Sequence, residues 1–286
     1  MCYNTTSSLE VFKMGEKEVQ YEEKHSFQKH NKKVLWDMAL GLQDIPNLKP
    51  SVKLESLIEE NLANNLPLKM LTQELKQYYV EELKADQLNP EELECDFVTI
   101  RIVELLKEDK FDLSVDYFKY VHKVLFQDVY DYAGLFRTTD ITIPEDILNG
   151  ESVCYGNFEN LAASLEYDIL LERKKDYSKM SIVEVINSLA RFTSHIWQVY
   201  PFKNGNTRTV ALFMIKYLTF LGFNIDMRIF NDNSLYFRKA LVRGNYFNNE
   251  LNIKQNNEYL IYFYENLLLG KNNNLLGEEL ILHDLF

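Results

Sequence analysis

The sequence predicts a mainly α-helical bundle, and three observations support this fold class. Apolar residues recur at helical spacing along most of the 286-residue chain. Ser181 and Glu184 form the pattern of a capping box at the start of the clearest helical segment. Residues 208–221 are apolar nearly all round, so we expect this helix at the centre of the bundle.

The N-terminal part of the sequence is predicted to form a polar arm followed by a small helical region. We divide the chain into a loose arm at 1–33, a helical region at 34–94, a larger domain at 95–270 and a tail at 271–286. The helices that the periodicity predicts in the helical region span residues 31–42, 51–62 and 68–83.

The larger domain contains further helical patterns with recognisable ends. Ser114 is a plausible N-cap, Pro201 forces the preceding residue out of helical dihedrals, and Gly222 is a C-terminal stop. The predicted helices of this domain span residues 97–106, 115–127, 182–199, 208–221, 234–245 and 257–269.

One segment favours β structure. Residues 138–143 are rich in Thr and Ile and are followed by Pro144 and then by the turn pair Asn149-Gly150. Val153 and Tyr155 continue the pattern beyond this turn. We therefore predict a short β-hairpin, or flap, here.

Composition narrows the function classes. A formal charge of −12 argues against a general nucleic-acid binder. The three cysteines, Cys2, Cys95 and Cys154, are far apart and indicate neither a disulfide framework nor a zinc site. We see no secretory signal and no apolar run long enough for a membrane span, so we expect a cytoplasmic protein with no nucleic-acid or membrane partner.

The loop at residues 200–209 lies between the two clearest helices. It contains Pro, Gly, two Asn and one Arg, which is the composition of a backbone turn that presents N–H groups to an anion. It contains no histidine, carboxylate, serine or cysteine. The loop is therefore suited to hold a phosphate and poorly equipped to perform chemistry on one.

Several segments together carry a family resemblance. They are Tyr200-Pro201-Phe202-Lys203-Asn204-Gly205-Asn206-Thr207-Arg208, Asp131-Tyr132-Ala133-Gly134-Leu135-Phe136-Arg137, Ile196-Trp197-Gln198 and Tyr236-Phe237-Arg238-Lys239-Ala240-Leu241-Val242-Arg243. The first resembles the H-P-F-x-[D/E]-G-N-[G/T]-R motif of the Fic family, and the others resemble its surroundings. The resemblance covers roughly residues 95–270. It implies a Fic-type helical bundle with a β-hairpin flap.

Fic proteins transfer AMP from a nucleotide to a hydroxyl side chain of a target protein. The resemblance implies ATP as donor or ligand, held by four residues of the loop, and a flap that docks the target as an added strand. The phosphate-binding positions are Gly205, Asn206, Thr207 and Arg208. The flap positions are Val153, Cys154 and Tyr155.

The chain departs from the family pattern at three positions. Tyr200 stands at the position of the catalytic histidine, and a phenol is a poor base at neutral pH. Asn204 stands at the position of the Mg²⁺-binding carboxylate, whose charge an amide cannot replace. Ala211 replaces a second arginine. His195 is five residues before Tyr200, so we expect it on the helix surface rather than as a substitute base.

An inhibitory motif of the family is matched weakly. Its pattern, [S/T]-x-x-x-E-[G/N], occurs as Ser56 to Asn61, with Glu60 at the glutamate position. A second placement, ahead of Lys49-Pro50-Ser51, puts Pro46 where the glutamate belongs. Because Ala211 removes the partner of such a glutamate, we do not expect a working glutamate switch.

Three functions follow from these observations. The favoured one is a degenerate Fic protein that binds a nucleotide or a regulatory protein partner and transfers little or nothing. The alternative is an active AMP transferase that acts on a Ser, Thr or Tyr hydroxyl of a target protein, with Tyr200 itself as a possible acceptor. A helical module without a ligand is the third. The sequence leaves homo-oligomerisation open.

Overall fold

The computed structural model describes residues 11–14, 17–20, 32–82 and 88–282. Most of the predicted arm at 1–33 lies outside these residues. Two short strands fall within that arm, β1 (Val11–Met14) and β2 (Lys17–Gln20). They pair antiparallel, with Val11 opposite Gln20.

Helices dominate the rest of the described chain, which confirms the predicted mainly α fold class. The helices are α1 (Lys32–Gly41), α2 (Val52–Leu62), α3 (Leu68–Gln77), α4 (Pro90–Lys107), α5 (Val115–Phe126), α6 (Leu161–Arg173), α7 (Ile182–Val199), α8 (Asn206–Phe220), α9 (Arg228–Asn245) and α10 (Glu258–Leu269). Short 3-10 or π turns join several of them.

Helix α8 lies at the centre of the bundle, as its apolar sequence predicts. Every residue from Asn206 to Leu218 is buried. The preceding helix, α7, is amphipathic and buries one face against α6, α9 and α10. The loop between α7 and α8 is therefore anchored at both ends in the core.

Serine caps explain why three of the predicted helix starts, near residues 51, 115 and 182, are accurate. The helices predicted from residues 97 and 234 begin earlier, at Pro90 and Arg228. The hydroxyls of Ser51, Ser114 and Ser181 each accept a hydrogen bond from the main-chain N–H three residues later. The Ser181 N–H donates in return to the Glu184 carboxylate at 2.8 Å, which completes the capping box. These polar caps satisfy N–H groups that a helix start would otherwise leave without a partner.

Helix α6 was not among the predicted helices. Its buried residues Leu161, Leu165 and Ile169 recur every four residues, as on one helix face. Tyr167, Leu170 and Leu171 are apolar but exposed on the other side, which obscures the amphipathic pattern.

The N-terminal helices and the larger domain share one hydrophobic core. Helix α4 runs across the predicted boundary between residues 94 and 95. Its buried Asp96 accepts hydrogen bonds from the Ser51 N–H at 2.9 Å and from the Tyr79 hydroxyl at 2.8 Å. Helix α1 packs tightly on α9, where a Cβ on Gly41 would lie 2.6 Å from the Cα of Asn231. The residues at 34–94 therefore pack as part of the bundle.

The structure does not confirm the predicted β-hairpin flap. Residues 138–157 contain no strand, and a 3-10 turn at Asp146–Leu148 stands where the hairpin was expected. Ile147 and Leu148 are buried, so this turn points its apolar side chains into the core. The Ile143 N–H donates to the Ser152 hydroxyl at 3.1 Å instead of to a strand partner. Main-chain bonds close the turn, from the Glu145 N–H to the Glu151 carbonyl and from the Gly150 N–H to the Glu145 carbonyl, both at 3.0 Å, but they do not extend into a pair of strands.

Candidate functional site

The loop begins with a sharp reversal at Tyr200. This residue ends α7 in the left-handed region, with φ 47° and ψ 58°. Such a conformation is unfavourable for a residue other than glycine and must be held by its surroundings. The Tyr200 N–H donates to the Trp197 carbonyl at 3.0 Å, which closes the helix end.

Arg137 stabilises this chain reversal through hydrogen bonds to main-chain carbonyls. Its Nε donates to the Tyr200 carbonyl at 2.9 Å, and its own N–H donates to the Pro201 carbonyl at 2.9 Å. The guanidinium also donates to the carbonyls of Thr139 and Gly156. One buried cation thus ties the 138–157 segment to the end of α7.

The Asn206 side chain stabilises the loop through two hydrogen bonds to the main chain of Phe202. Its side-chain oxygen accepts from the Phe202 N–H at 2.9 Å, and its Nδ2 donates to the Phe202 carbonyl at 2.7 Å. Phe202 is fully buried and stacks on His122 with ring centroids 3.7 Å apart. The Asn206 side chain therefore supports the loop conformation, where the sequence predicted a phosphate contact.

His122 connects helix α5 to the loop. Its Nδ1 accepts from the Gly134 N–H at 2.8 Å, so its Nε2 carries the proton and donates to the Asn204 carbonyl at 3.1 Å. Burial lowers the pKa of His122 to about 4, so the ring is neutral at pH 7.

Gly205 begins helix α8. It has φ 74°, and a Cβ there would lie 2.3 Å from Cζ of Phe126. Glycine therefore lets the loop turn directly on the Phe126 ring. The helix start leaves main-chain N–H groups of Gly205, Asn206, Thr207 and Arg208 without an intrahelical acceptor. We call these four N–H groups the anion cradle.

The side chain of Arg208 points into the protein and has internal partners. Its Nη1 donates to Oε1 of Gln43 at 2.9 Å, its Nη2 pairs with Glu94, and its guanidinium lies 4.9 Å from the ring centre of Phe126. The residue is 4% exposed. Arg208 thus supports α8 from behind, where the sequence predicted a phosphate ligand.

Thr207 has a similar supporting contact. Its hydroxyl accepts from Nε1 of Trp197 at 3.0 Å. At the outer edge of the loop, Lys203 and Asn204 are exposed. The loop therefore offers a ligand its main-chain N–H groups and these two outer residues, and it keeps the remaining side chains inward.

Tyr200 fills the position of the family's base with a packed ring. Its ring centroid lies 4.5 Å from that of Tyr155 and 5.5 Å from that of Trp197, and the residue is 8% exposed. Burial raises the pKa of Tyr200 above its ordinary value, against the opposing charge of Arg238. The hydroxyl is therefore protonated at pH 7.

The residues at the family's metal position do not suit Mg²⁺. Nδ2 of Asn204 donates to the Tyr132 hydroxyl at 2.7 Å, so the amide is engaged with another neutral group. Across the described ranges, no group of three or more His, Cys, Asp or Glu side chains is placed to hold a metal ion. Magnesium favours carboxylate oxygens together with substrate phosphates.

The predicted docking residues differ in their environments. Val153 is buried, Cys154 is exposed, and Tyr155 is half-buried against Tyr200. The Cys154 carbonyl accepts from Nε2 of Gln198 at 3.0 Å, and the Tyr155 hydroxyl donates to Glu145 at 3.1 Å. Target docking by this segment stays a prediction.

Neither predicted inhibitory residue is among the side-chain partners found for Arg208, which are Gln43 and Glu94. Ser56 and Glu60 are exposed on α2, and Ala211 is fully buried in α8. His195 is exposed, as expected, with Nδ1 3.7 Å from an oxygen of Asp168. An inhibitory role for Ser56 and Glu60 stays a prediction.

Sequence reasoning missed the residues that support the loop from distant segments. His122, Gln43 and Glu94 carried no motif, and their contacts with the loop cross 82, 165 and 114 residues of chain. Arg137 was noted within a resemblance but not as the clamp of the loop. A polar residue within an apolar helix face, such as His122 in α5, was the available signal.

The sequence is similar to known proteins of one family. The sequence profile of the Fic/DOC family matches residues 112–218. Protein adenylyltransferase VbhT of Bartonella schoenbuchensis is 31% identical over 144 residues, which are 49% of this chain and 28% of VbhT. Probable protein adenylyltransferase y4lH of Sinorhizobium fredii is 26% identical over 115 residues, which are 40% of this chain and 57% of y4lH. The chain thus spans less than two thirds of either relative.

Solved Fic domains are also similar. The N-terminal FIC domain of Bep8 from Bartonella sp. 1-1C has a TM-score of 0.47 and 18% identity, covering 60% of this chain and 81% of that domain. The N-terminal Fic domain of a Bartonella effector protein from Bartonella sp. AR 15-3 has a TM-score of 0.48 and 16% identity, covering 76% and 87%. Within the described part of the chain, no helix meets the length and hydropathy needed to cross a membrane.

Proposed function

We propose that this chain, in which residues 112–218 form a Fic/DOC family domain, binds a nucleotide through its phosphates and has lost most or all AMP transfer. Its relatives are named as protein adenylyltransferases, so ATP is the nucleotide that we put forward. The phosphates would accept hydrogen bonds from the anion cradle at the N-terminus of α8, where the helix dipole favours negative charge.

The environment of Tyr200 carries the proposal. A transferase of this family needs a group that removes the proton from the acceptor hydroxyl. Tyr200 occupies that place as a buried phenol packed between Tyr155 and Trp197, with its pKa raised by burial. Asn204 contributes no carboxylate at the second catalytic position. Transfer therefore lacks both its base and its metal ligand.

Retention of the loop geometry favours binding over a purely structural role. Asn206, Arg137 and His122 all hold the loop through main-chain atoms, and Gly205 takes a conformation that an L side chain rarely adopts. The left-handed conformation of Tyr200 is unfavourable for a residue other than glycine, so the loop keeps its shape at a cost in free energy. An anion site is a physical reason for such a loop at a helix N-terminus.

AMP transfer from α-labelled ATP tests the proposal. We expect no labelling of the chain or of lysate proteins, and we expect labelling once Tyr200→His and Asn204→Glu are introduced together. Histidine is among the residues that tolerate the left-handed conformation found at position 200. Labelling by the unmodified chain at the level of the double variant would refute the loss of transfer.

The alternative is an active transferase that labels either its own Tyr200 or a target protein. One variant distinguishes these two cases. If the chain labels itself through the hydroxyl of Tyr200, Tyr200→Phe abolishes the label. If another group activates a target protein, Tyr200→Phe leaves labelling unchanged. The target protein, or a regulatory partner that takes its place, would be identified from the labelled or co-purified species.

A further inference from the structure

We infer that the loop takes its phosphate ligand without a divalent cation and that Lys203 supplies the positive charge. This inference rests on the proposed nucleotide binding. It commits the site to a metal-free nucleotide, whereas the family resemblance implies a Mg²⁺-bound one.

The groups around Asn204 lack the negative charge that a Mg²⁺ site needs. The Asn204 amide is 2.7 Å from the Tyr132 hydroxyl, and neither group carries a charge at pH 7. Burial raises the pKa of Tyr132, so this phenol is not an anionic ligand. Neutral oxygens alone do not offset the strong hydration of Mg²⁺.

The nearby carboxylates do not supply the missing negative charge. Glu94 is committed to the Arg208 guanidinium and accepts from the Tyr130 hydroxyl at 2.7 Å. Asp131 is exposed and adjacent to Tyr132 in the chain, but no further carboxylate joins it in a metal-binding group within the described ranges. A single exposed carboxylate is a weak Mg²⁺ site.

The three arginines around the loop have partners within the fold, although Nη1 of Arg238 is buried without a hydrogen-bond partner among the described residues. Arg208 pairs with Glu94, Arg137 donates to main-chain carbonyls, and Arg238 pairs with Glu145 at 2.6 Å. Each guanidinium is held within the fold, with side-chain exposures of 4%, 2% and 17%. None of the three can turn outward without breaking these contacts.

Lys203 is the cation at the outer edge of the loop. It is exposed, directly precedes Asn204, and has its Nζ 5.1 Å from the ring centre of Tyr132. Within the described ranges it has no carboxylate partner, and its contact with the Tyr132 face is one that an anion can strengthen or replace. Because Lys203 lies two residues before Gly205, we infer that its ammonium can reach a phosphate bound at the anion cradle.

Isothermal titration calorimetry with ATP tests the inference in two buffers, one with excess EDTA and one with millimolar Mg²⁺. We expect the affinity in EDTA to equal or exceed that in Mg²⁺. Lys203→Ala should weaken metal-free ATP binding roughly tenfold, since one charge-assisted contact is lost. Lys174→Ala, at an exposed lysine just after α6, is the matched control and should change the affinity less than twofold.

Asn204→Asp tests whether the missing carboxylate at position 204 is the reason for metal-free binding. The new carboxylate should weaken ATP binding in EDTA by repulsion and restore a Mg²⁺-dependent gain of about tenfold. Tighter binding of ATP with Mg²⁺ by the unmodified chain would overturn the inference and leave the proposed function standing. An absence of binding in both buffers would overturn the proposed function itself. A Lys203→Ala variant that binds like the unmodified chain would remove Lys203 from the site.

Discussion

Nε of Arg137 donates a hydrogen bond of 2.9 Å to the carbonyl oxygen of Tyr200, the residue that reverses the chain between α7 and α8. The same guanidinium contacts the carbonyls of Thr139 and Gly156. The loop that carries the candidate site is therefore held by a side chain that lies 63 residues earlier in the sequence.

Replacement of Arg137 should destabilise the loop. We expect Arg137→Ala to lower the free energy of unfolding by about 3 kcal/mol, because buried carbonyls would lose a charged donor. Urea denaturation measures this change. Arg191→Ala removes an exposed arginine from α7 and should cost less than about 0.5 kcal/mol. Equal costs for the two variants would contradict a clamp at Arg137.

Gly205 should tolerate no side chain. Gly205→Ala forces a Cβ to within 2.3 Å of Phe126 in addition to the cost of a positive φ, so we expect a loss of at least about 3 kcal/mol. Gly150→Ala is the matched control, since Gly150 also has a positive φ but nothing lies within 4 Å of its Cβ. It should cost about 1–2 kcal/mol. Partial rescue of Gly205→Ala by Phe126→Leu would confirm the steric cause.

Acid should weaken the fold through His122. The unfolded histidine binds a proton below its ordinary pKa of about 6.5, whereas the folded one stays neutral until about pH 4. The unfolded state therefore binds more protons between these values, and the free energy of unfolding falls as pH drops through this window, by up to about 3 kcal/mol.

The contribution of His122 can be isolated with a variant. Asp96 acts in the opposite direction, because burial raises its pKa to about 6 and its folded form binds more protons below that value. This contribution cancels when the chain is compared with His122→Gln at each pH. We expect the stability advantage of the unmodified chain to shrink between pH 7 and pH 4.5. Parallel pH profiles for the unmodified chain and His122→Gln would contradict a neutral, buried His122.

The Arg208–Glu94 pair should show strong coupling. Both side chains are largely buried, with exposures of 4% and 15%, so removal of either leaves a charge without its partner. We expect Glu94→Ala to cost about 3 kcal/mol and a double-mutant cycle with Arg208→Ala to give a coupling of at least about 1 kcal/mol. The exposed pair Lys33–Asp37 is the control and should couple by less than about 0.5 kcal/mol. Equal coupling in the two cycles would argue against a structural role for Glu94.

The fold was largely predictable, because local sequence patterns mark most of its helices. Capping serines at 51, 114 and 181 and the apolar periodicity behind them fix the helix starts. The segment at 138–157 was not predictable from its Thr and Ile content, since the buried Ile147 and Leu148 and the bond from Gln198 to Cys154 decide its conformation. Tertiary contacts override strand propensity there.

The conformation of the loop was partly predictable, but the side-chain contacts that hold it were not. The loop sequence predicts a turn at the start of a helix, and Gly205 and the start of α8 have this geometry. The side chains of Asn206 and Arg208 bind Phe202, Gln43 and Glu94, and phosphate binding by these two residues stays a prediction. Those partners are distant in sequence or belong to the main chain, so a motif read locally cannot reveal them.

The most direct test of the account follows the main-chain amides of the anion cradle during a titration with ATP. In ¹H–¹⁵N spectra of the perdeuterated chain in EDTA, the signals of Gly205, Asn206, Thr207 and Arg208 should shift together and saturate with one Kd. Shifts confined to other parts of the chain, or cradle signals that stay unmoved at saturating ATP, would contradict phosphate binding at the N-terminus of α8.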